Sequence, residues 1–347
     1  MAATAGRTVT GLDVGSTSVK AVRVASRKEG ALVVGAAIAE LPDRRELDTG
    51  VDGSQADPRV ESIREVLEAC GTDLRRGTLV SVVGGPGVSI KHVSFPAMSR
   101  QALAESIRWE ARKHVPFGDT DFVLDFQLMD GRNGGSENDE KEMQVILAAV
   151  ERSLIDEHVA LLGRAGVEPM TVDLVPLALI NELDEERLLN DGAAAVIELG
   201  ATGLTLSIYR RGGFFFARSI PMGSQKTVER ERAAAEAAAD EDPEVDAPST
   251  SSAMSRRWLD LALKEIRRSL TFYNNETGKQ GIEMVYLTGG RALTPGIAES
   301  FEEALGVRAK VLNPLGENTQ STADLSRLVP QGPRFAVAMG LARREPA

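Results

Sequence analysis

Cysteine is all but missing from this chain. Cys70 is the only one among 347 residues, so no intrachain disulfide can form, and a reducing compartment is the simplest setting. Histidine is nearly as scarce, and His92, His114 and His158 are too scattered to show metal-ligand spacing. Positive charge is short as well: the formal net charge of −11 argues against a general nucleic-acid binder, which would carry a basic face. No stretch approaches the roughly eighteen uninterrupted apolar residues of a membrane span, and Met1 to Arg7 lacks the basic-then-apolar order of a signal peptide. The tail Phe335 to Ala347 carries no basic amphipathic anchor. A cytoplasmic protein without a direct membrane anchor is expected, long enough for two lobes with cores of their own.

What is present is a repeated pattern. Gly11-Leu12-Asp13-Val14-Gly15-Ser16-Thr17-Ser18-Val19-Lys20 reads as strand, acid, glycine turn, small hydroxyls, strand, and a weaker copy returns at Val196-Ile197-Glu198-Leu199-Gly200-Ala201-Thr202-Gly203-Leu204. Glycine lets backbone N–H groups approach an anion closely, and Ser or Thr adds donors, so two such turns suit the gripping of nucleotide phosphates from two sides. An acid in that position suits Mg²⁺ held largely through water. Either hairpin alone is an ordinary chain reversal. A third element raises the specificity: Met284 to Thr288 reads as a buried strand running into Gly289-Gly290-Arg291, then a helix expected to open at Thr294 and Pro295.

The remaining pattern divides the chain. Residues 8–87 read as the N-terminal part of a first lobe, with a helix over Arg59 to Cys70 and a continuous apolar strand at Leu79 to Val83. Residues 88–172 read as a small α+β insertion, 173–192 as a connecting helix of the first lobe, and 193–225 as the phosphate-binding strands of the second. The segment 226–255, with three basic and eight acidic side chains, supplies −5 of the net charge and reads as a low-complexity linker. Residues 256–343 complete the second lobe. In its first helix Trp258, Leu261, Ile266, Leu270 and Tyr273 can bury one side, while Glu265, Arg268 and Phe272 share another face. That second face suits either ribose and adenine or plain solvent. Phe214-Phe215-Phe216 is expected to pack on alternate faces of a sheet.

Two phosphate hairpins followed by a strand-Gly-Gly-helix resemble the actin, Hsp70 and sugar kinase superfamily. A narrower resemblance rests on Phe95-Pro96-Ala97-Met98-Ser99, Ser106 to Phe117, Val123 to Leu128, Glu265 to Leu270 with Phe272-Tyr273, and the Leu-Thr-Gly-Gly at Leu287. From about Thr8 to Arg343 the chain is similar to the PilM family of type IV pilus assembly proteins. The resemblance implies an α/β fold, actin-like (ribonuclease H-like) and two-lobed, with a small α+β insertion subdomain as in FtsA. It implies ATP with Mg²⁺ in the cleft and a groove for the cytoplasmic N-terminal peptide of the inner-membrane protein PilN.

Carried onto this chain, the resemblance implies that Asp13, Gly15, Ser16, Thr17 and Ser18 form the first phosphate site, with Lys20 nearby. Glu198, Gly200, Ala201 and Thr202 form the second. Gly289, Gly290 and Arg291 with Glu265 and Arg268 face the nucleoside, Asp13 and Glu198 hold the metal through water, and Asp173 positions the attacking water. Glu110, Pro116 and Phe117 are the candidates for the peptide groove. Glu198 stands where the superfamily commonly has Asp, and Ala201 and Gly203 stand where hydroxyls would help, so binding with slow or absent turnover is expected. A kinase of the same superfamily, or an FtsA-like or GspL-like protein of cell division or type II secretion, is the alternative. Self-association stays open, as does recruitment to the inner face of the membrane by a partner.

Overall fold

The computed structural model describes residues 7–27, 30–42, 57–72, 77–129, 142–185, 192–210, 213–222, 256–277, 281–316 and 319–344. The segment 226–255 lies outside them. Strands β1 (Thr8–Val14), β2 (Ser18–Arg27) and β3 (Gly30–Glu40) form an antiparallel meander. Strand β4 (Thr78–Val83) adds parallel to β1 along its other edge. Its residues Leu79 to Val83 are all buried, as a strand covered on both faces requires. Helix α1 (Pro58–Ala69) starts on Pro58, with the Asp57 carboxylate accepting from the Arg59 N–H, and buries Ile63, Val66 and Leu67.

The next block, β5 (Val88–Pro96), α2 (Arg100–His114), β6 (Phe122–Leu128) and β7 (Glu142–Glu151), makes a separate three-stranded sheet of order β5-β7-β6. Its core joins Phe95, Leu103, Ile107, Val145 and Leu147. Helix α3 (Arg152–Arg164) and strand β8 (Thr171–Leu174) then return to the first lobe. β8 pairs parallel with β4, Val80 opposite Thr171, while Leu161 and Leu162 of α3 pack with Leu12, Ile63 and Leu79. The inserted sheet therefore closes at Glu151, earlier than the sequence-based boundary at 172. A helix followed by a strand carries the same local pattern whichever sheet receives it, and only the pairing partner distinguishes the two.

Helix α4 (Val175–Glu185) crosses to the second lobe, where β9 (Ala193–Leu199), β10 (Gly203–Arg210), β11 (Gly213–Pro221), β12 (Ile282–Thr288) and β13 (Arg308–Val311) make the second five-stranded sheet. Its order, β11-β10-β9-β12-β13, repeats the β3-β2-β1-β4-β8 order of the first sheet, and these twin sheets are the expected actin-like two-lobed architecture. Helices α5 (Arg256–Glu276) and α6 (Ile297–Leu305) cover one face through Trp258, Ile266, Tyr273 and Phe301.

In α5 the buried line is Trp258, Ala262, Leu263, Ile266, Ser269 and Tyr273, whereas Leu261, expected inside, is 48% exposed. A register shift between Ile208 and Tyr209 breaks the alternation expected of the three phenylalanines, so Phe214 faces one core while Phe215 and Phe216 both pack toward the other. Phe214 packs on Tyr209 in the core between the lobes, and Phe215 stands edge-on to Tyr273 at 5.2 Å. Helix α6 begins at Ile297 after Gly296, whose φ is 73°, rather than at Thr294. A 3₁₀ turn, Gly290–Leu293, takes up the intervening chain and ends on Thr294.

The C-terminal helix α7 (Ala336–Ala342) packs on β1 and β2 of the first sheet and on α4. A Cβ on Gly11 of β1 would stand 2.1 Å from the Ala338 carbonyl oxygen, and one on Gly340 only 1.9 Å from that of Ala178 in α4. The backbones thus meet where only glycine fits. Just beyond, the buried Arg343 guanidinium donates to Glu182 at 2.6 Å, and Arg344 pairs with Asp173. Residues 320–322 bond along the free edge of β3 at Val33. The last part of the chain, assigned from sequence to the second lobe, therefore also completes the first.

A candidate nucleotide cleft

The two hairpin turns have matching local geometry. The Gly15 N–H donates to the Ser18 carbonyl at 3.0 Å, and the Gly200 N–H donates to the Gly203 carbonyl at 2.9 Å. Each turn follows a strand whose penultimate residue is the acid, Asp13 in β1 and Glu198 in β9. Lys20 sits opposite Asp13 on β2 and donates to its carboxylate at 2.7 Å, both side chains being mostly buried. Ser16 and Thr17 are exposed at the first turn while Ser18 is buried. At the second turn Ala201 and Thr202 are half-buried.

The acids face one another closely enough to interact. Burial pushes the Glu198 carboxyl from its ordinary 4.5 up to about 7, the Asp13 carboxylate pushes the same way, and Lys20 offsets part of the rise. Two carboxylates within electrostatic reach of each other are a suitable donor set for a hard divalent cation. Among the described residues no group of three or more His, Cys, Asp or Glu could hold a metal ion. The chain would therefore offer two oxygens and leave the remaining positions to phosphate and water, the usual arrangement for Mg²⁺. The turns and acids fit Mg-nucleotide.

The raised Glu198 value has a consequence for stability. Because the folded form binds the proton more tightly than the unfolded form, stability is full below about pH 4.5 and falls as the pH rises toward about 7. Glu198→Gln should therefore raise the unfolding free energy of ligand-free protein by about 2–3 kcal/mol at pH 8 and change it little at pH 4.5. Urea midpoints at the two pH values measure this, and a gain of equal size at both would rule it out.

Gly289, with φ at 89°, closes the second lobe's side of the cleft. A Cβ there would come 2.6 Å from the Leu199 carbonyl oxygen and 2.9 Å from Glu198 Oε1, so only glycine allows β12 to end beside the second acid. Gly290 has open space where a Cβ would be. Arg291 is buried: its Nε donates to the Gly200 carbonyl and its Nη2 to the Ala201 carbonyl, both at 3.1 Å, and the guanidinium lies 4.7 Å from the Trp258 ring centre.

The expected nucleoside set is only partly assembled. Trp258 is the α5 residue at Arg291, two helical turns before Glu265. Glu265 pairs with Arg218 of β11 at 3.3 Å, and Arg268 is exposed. Trp258 read as a core residue in the sequence, and no periodicity could have paired it with an arginine thirty-three positions away. Asp173 is buried two strands from Asp13, beyond Val82. One of its oxygens accepts the Leu174 N–H at 2.7 Å and the other the Arg344 guanidinium.

In the inserted subdomain, Phe117 is buried among Val115, Ala149 and Phe122. It is a core side chain and not an exposed wall of a groove, because after α2 ends at His114 the extended chain turns both Val115 and Phe117 inward. Pro116 is exposed, and Glu110 is partly exposed and pairs with Lys113 at 3.2 Å. Trp109, on the far side of α2 from Leu103 and Ile107, is 87% exposed.

A family model described as type IV pilus assembly protein PilM matches residues 11–346. Among solved structures, one described as a PilM-PilN type IV pilus biogenesis complex superposes with a TM-score of 0.75 at 26% identity, covering 97% of this chain and 99% of that one. The ethanolamine utilization protein EutJ from Carboxydothermus hydrogenoformans gives a TM-score of 0.48 at 16% identity, over 97% and 89% of the two chains. MreB 5 of Spiroplasma citri bound to AMPPNP gives 0.44 at 11%, over 96% and 94%.

Proposed function

This chain belongs to the type IV pilus assembly protein PilM family, and from that premise we propose that it is an ATP- and Mg²⁺-binding scaffold of pilus assembly that receives the N-terminal cytoplasmic peptide of a PilN-type inner-membrane protein. The observation that carries the nucleotide half is the electrostatic opposition of Asp13 and Glu198, each two residues before the glycine of its turn and on opposite lobes. Closure around Mg-ATP would relieve that opposition, so nucleotide would stabilise the closed form. The partner half rests on the similarity to the PilM-PilN complex over nearly the whole of both chains. Among the described residues no helix is long and apolar enough to cross a membrane, and a membrane partner would supply that attachment.

Mechanistically the chain's own groups bind and orient. The glycine turns present N–H donors to phosphate, Lys20 neutralises charge beside Asp13, and Asp13 with Glu198 would hold the cation. Bound Mg²⁺ would supply neutralisation of the phosphate charge. Turnover should be slow. Glu198 is longer than the usual aspartate, and the Asp173 carboxylate is already engaged by Arg344 and the Leu174 N–H rather than left to orient a water.

Calorimetry with Mg-ATP on the unaltered protein and on Asp13→Ala tests the reading, with a synthetic PilN N-terminal peptide titrated separately into each. ATP binding weakened at least about a hundredfold in the variant, with peptide binding retained, is expected. Equal nucleotide affinity in both proteins would remove the cleft assignment, and fast metal-dependent hydrolysis, on the order of 10 s⁻¹, would make it an enzyme.

A further inference from the structure

The second turn lacks what makes the first a convincing anion site. It has Ala201 and Gly203 where hydroxyls would add donors, and Thr205 occupies the strand position opposite Glu198 that Lys20 occupies opposite Asp13. One cation does reach the turn, but from behind: the Arg291 guanidinium takes the carbonyl oxygens of Gly200 and Ala201, two consecutive peptides, with two of its N–H donors.

We propose that Arg291 is the positioning residue of the second turn, fixing the direction of its two central amides so that they present to a phosphate. The inference rests on the reading of the cleft as a nucleotide site. The geometry follows from the peptide unit. Among the described residues there is no cis bond, and in a trans peptide the C=O and the following N–H point in opposite directions. Holding the Gly200 and Ala201 carbonyls toward Arg291 turns the Ala201 and Thr202 N–H groups away from it. Glycine at 200 and 203 leaves the turn soft, and a turn with this composition would otherwise sample several peptide orientations.

The guanidinium adds two further effects. A charged donor on a carbonyl polarises the peptide and strengthens its N–H as a donor. Arg291 is in turn held, stacked on Trp258 from the first turn of α5 and buried where its long side chain has little freedom. The first turn uses hydroxyls and Lys20 at its mouth; the second, with Thr202 as its one hydroxyl, relies chiefly on backbone backed by a buried cation.

The test compares Arg291→Met, which keeps much of the bulk beside Trp258 but has no donor, with Arg291→Lys, which keeps the charge but not the fork. In ligand-free protein, amide hydrogen exchange at Gly200, whose N–H closes the turn on the Gly203 carbonyl, should accelerate about tenfold in Arg291→Met and by less in Arg291→Lys, with the other strands of the second sheet exchanging as before. The Kd for Mg-ATP should rise about tenfold in Arg291→Met, with Arg291→Lys in between. Unchanged exchange at Gly200, or acceleration spread evenly over the whole sheet, would overturn the inference. Should Arg291→Met fail to fold, Arg291→Lys carries the same comparison. If the unaltered protein binds no ATP, the cleft reading fails by that result, whereas the exchange measurement still decides whether Arg291 orients the turn.

Discussion

Arg343→Met alone should cost about 3–5 kcal/mol of stability, while Glu182→Leu combined with Arg343→Met should recover most of that loss. Glu182 is fully buried, and the Arg343 side chain is 7% exposed against it. Removing the cation strands a carboxylate in the interior between α4 and α7, and its desolvation is no longer offset. Removing both charges leaves a volume that apolar side chains can fill. A double-mutant cycle from urea unfolding measures the coupling, and single and double variants of equal stability would show that water reaches the pair. The same cycle on Arg344 and Asp173 should give a smaller figure, because the Arg344 side chain is about one-third exposed.

Gly340→Ala should be nearly as damaging, with a loss of about 3 kcal/mol despite alanine being the better helix former by about 1 kcal/mol. The added methyl would lie 1.9 Å from the Ala178 carbonyl oxygen, a contact with backbone and not with a side chain that can swing aside. Helix α7 cannot retreat, because its other side rests on β1 at Gly11, where the approach is as close. Thermal unfolding of the variant reads the effect. An unchanged midpoint would mean that α4 and α7 separate freely, and that their crossing is looser than these distances require.

Much of this architecture was legible from residues alone. The twin acid–glycine turns, the Gly289-Gly290 strand end and the α1 periodicity at Ile63, Val66 and Leu67 all carry local patterns, and the structure forms them where the patterns lie. The residues over 95–128 also carried the family resemblance, which the match over residues 11–346 bears out. Partnership was much less legible. Which sheet receives β8, that Trp258 and not Glu265 meets Arg291, and that Phe117 points inward all depend on contacts between distant segments. The Thr294-Pro295 pair is a good helix start by composition, but Gly296 in the left-handed region gives the chain a later one. The brace on the second turn was the hardest to foresee, since its arginine lies ninety residues downstream of the carbonyls it holds.

The wrapping of the C-terminal end over the first sheet bears on the order of synthesis. Val22, Val24 and Val33 share a core with Leu315, Phe335, Ala338 and Met339, so these early strands find part of their apolar cover only in residues 315–339. During translation the first sheet must wait, with that face uncovered, until residue 342 has cleared the ribosome. Such long-range closure slows folding and exposes the nascent chain to aggregation. Production of this protein should therefore respond more to chaperone supply and to the rate of elongation than its final stability would suggest.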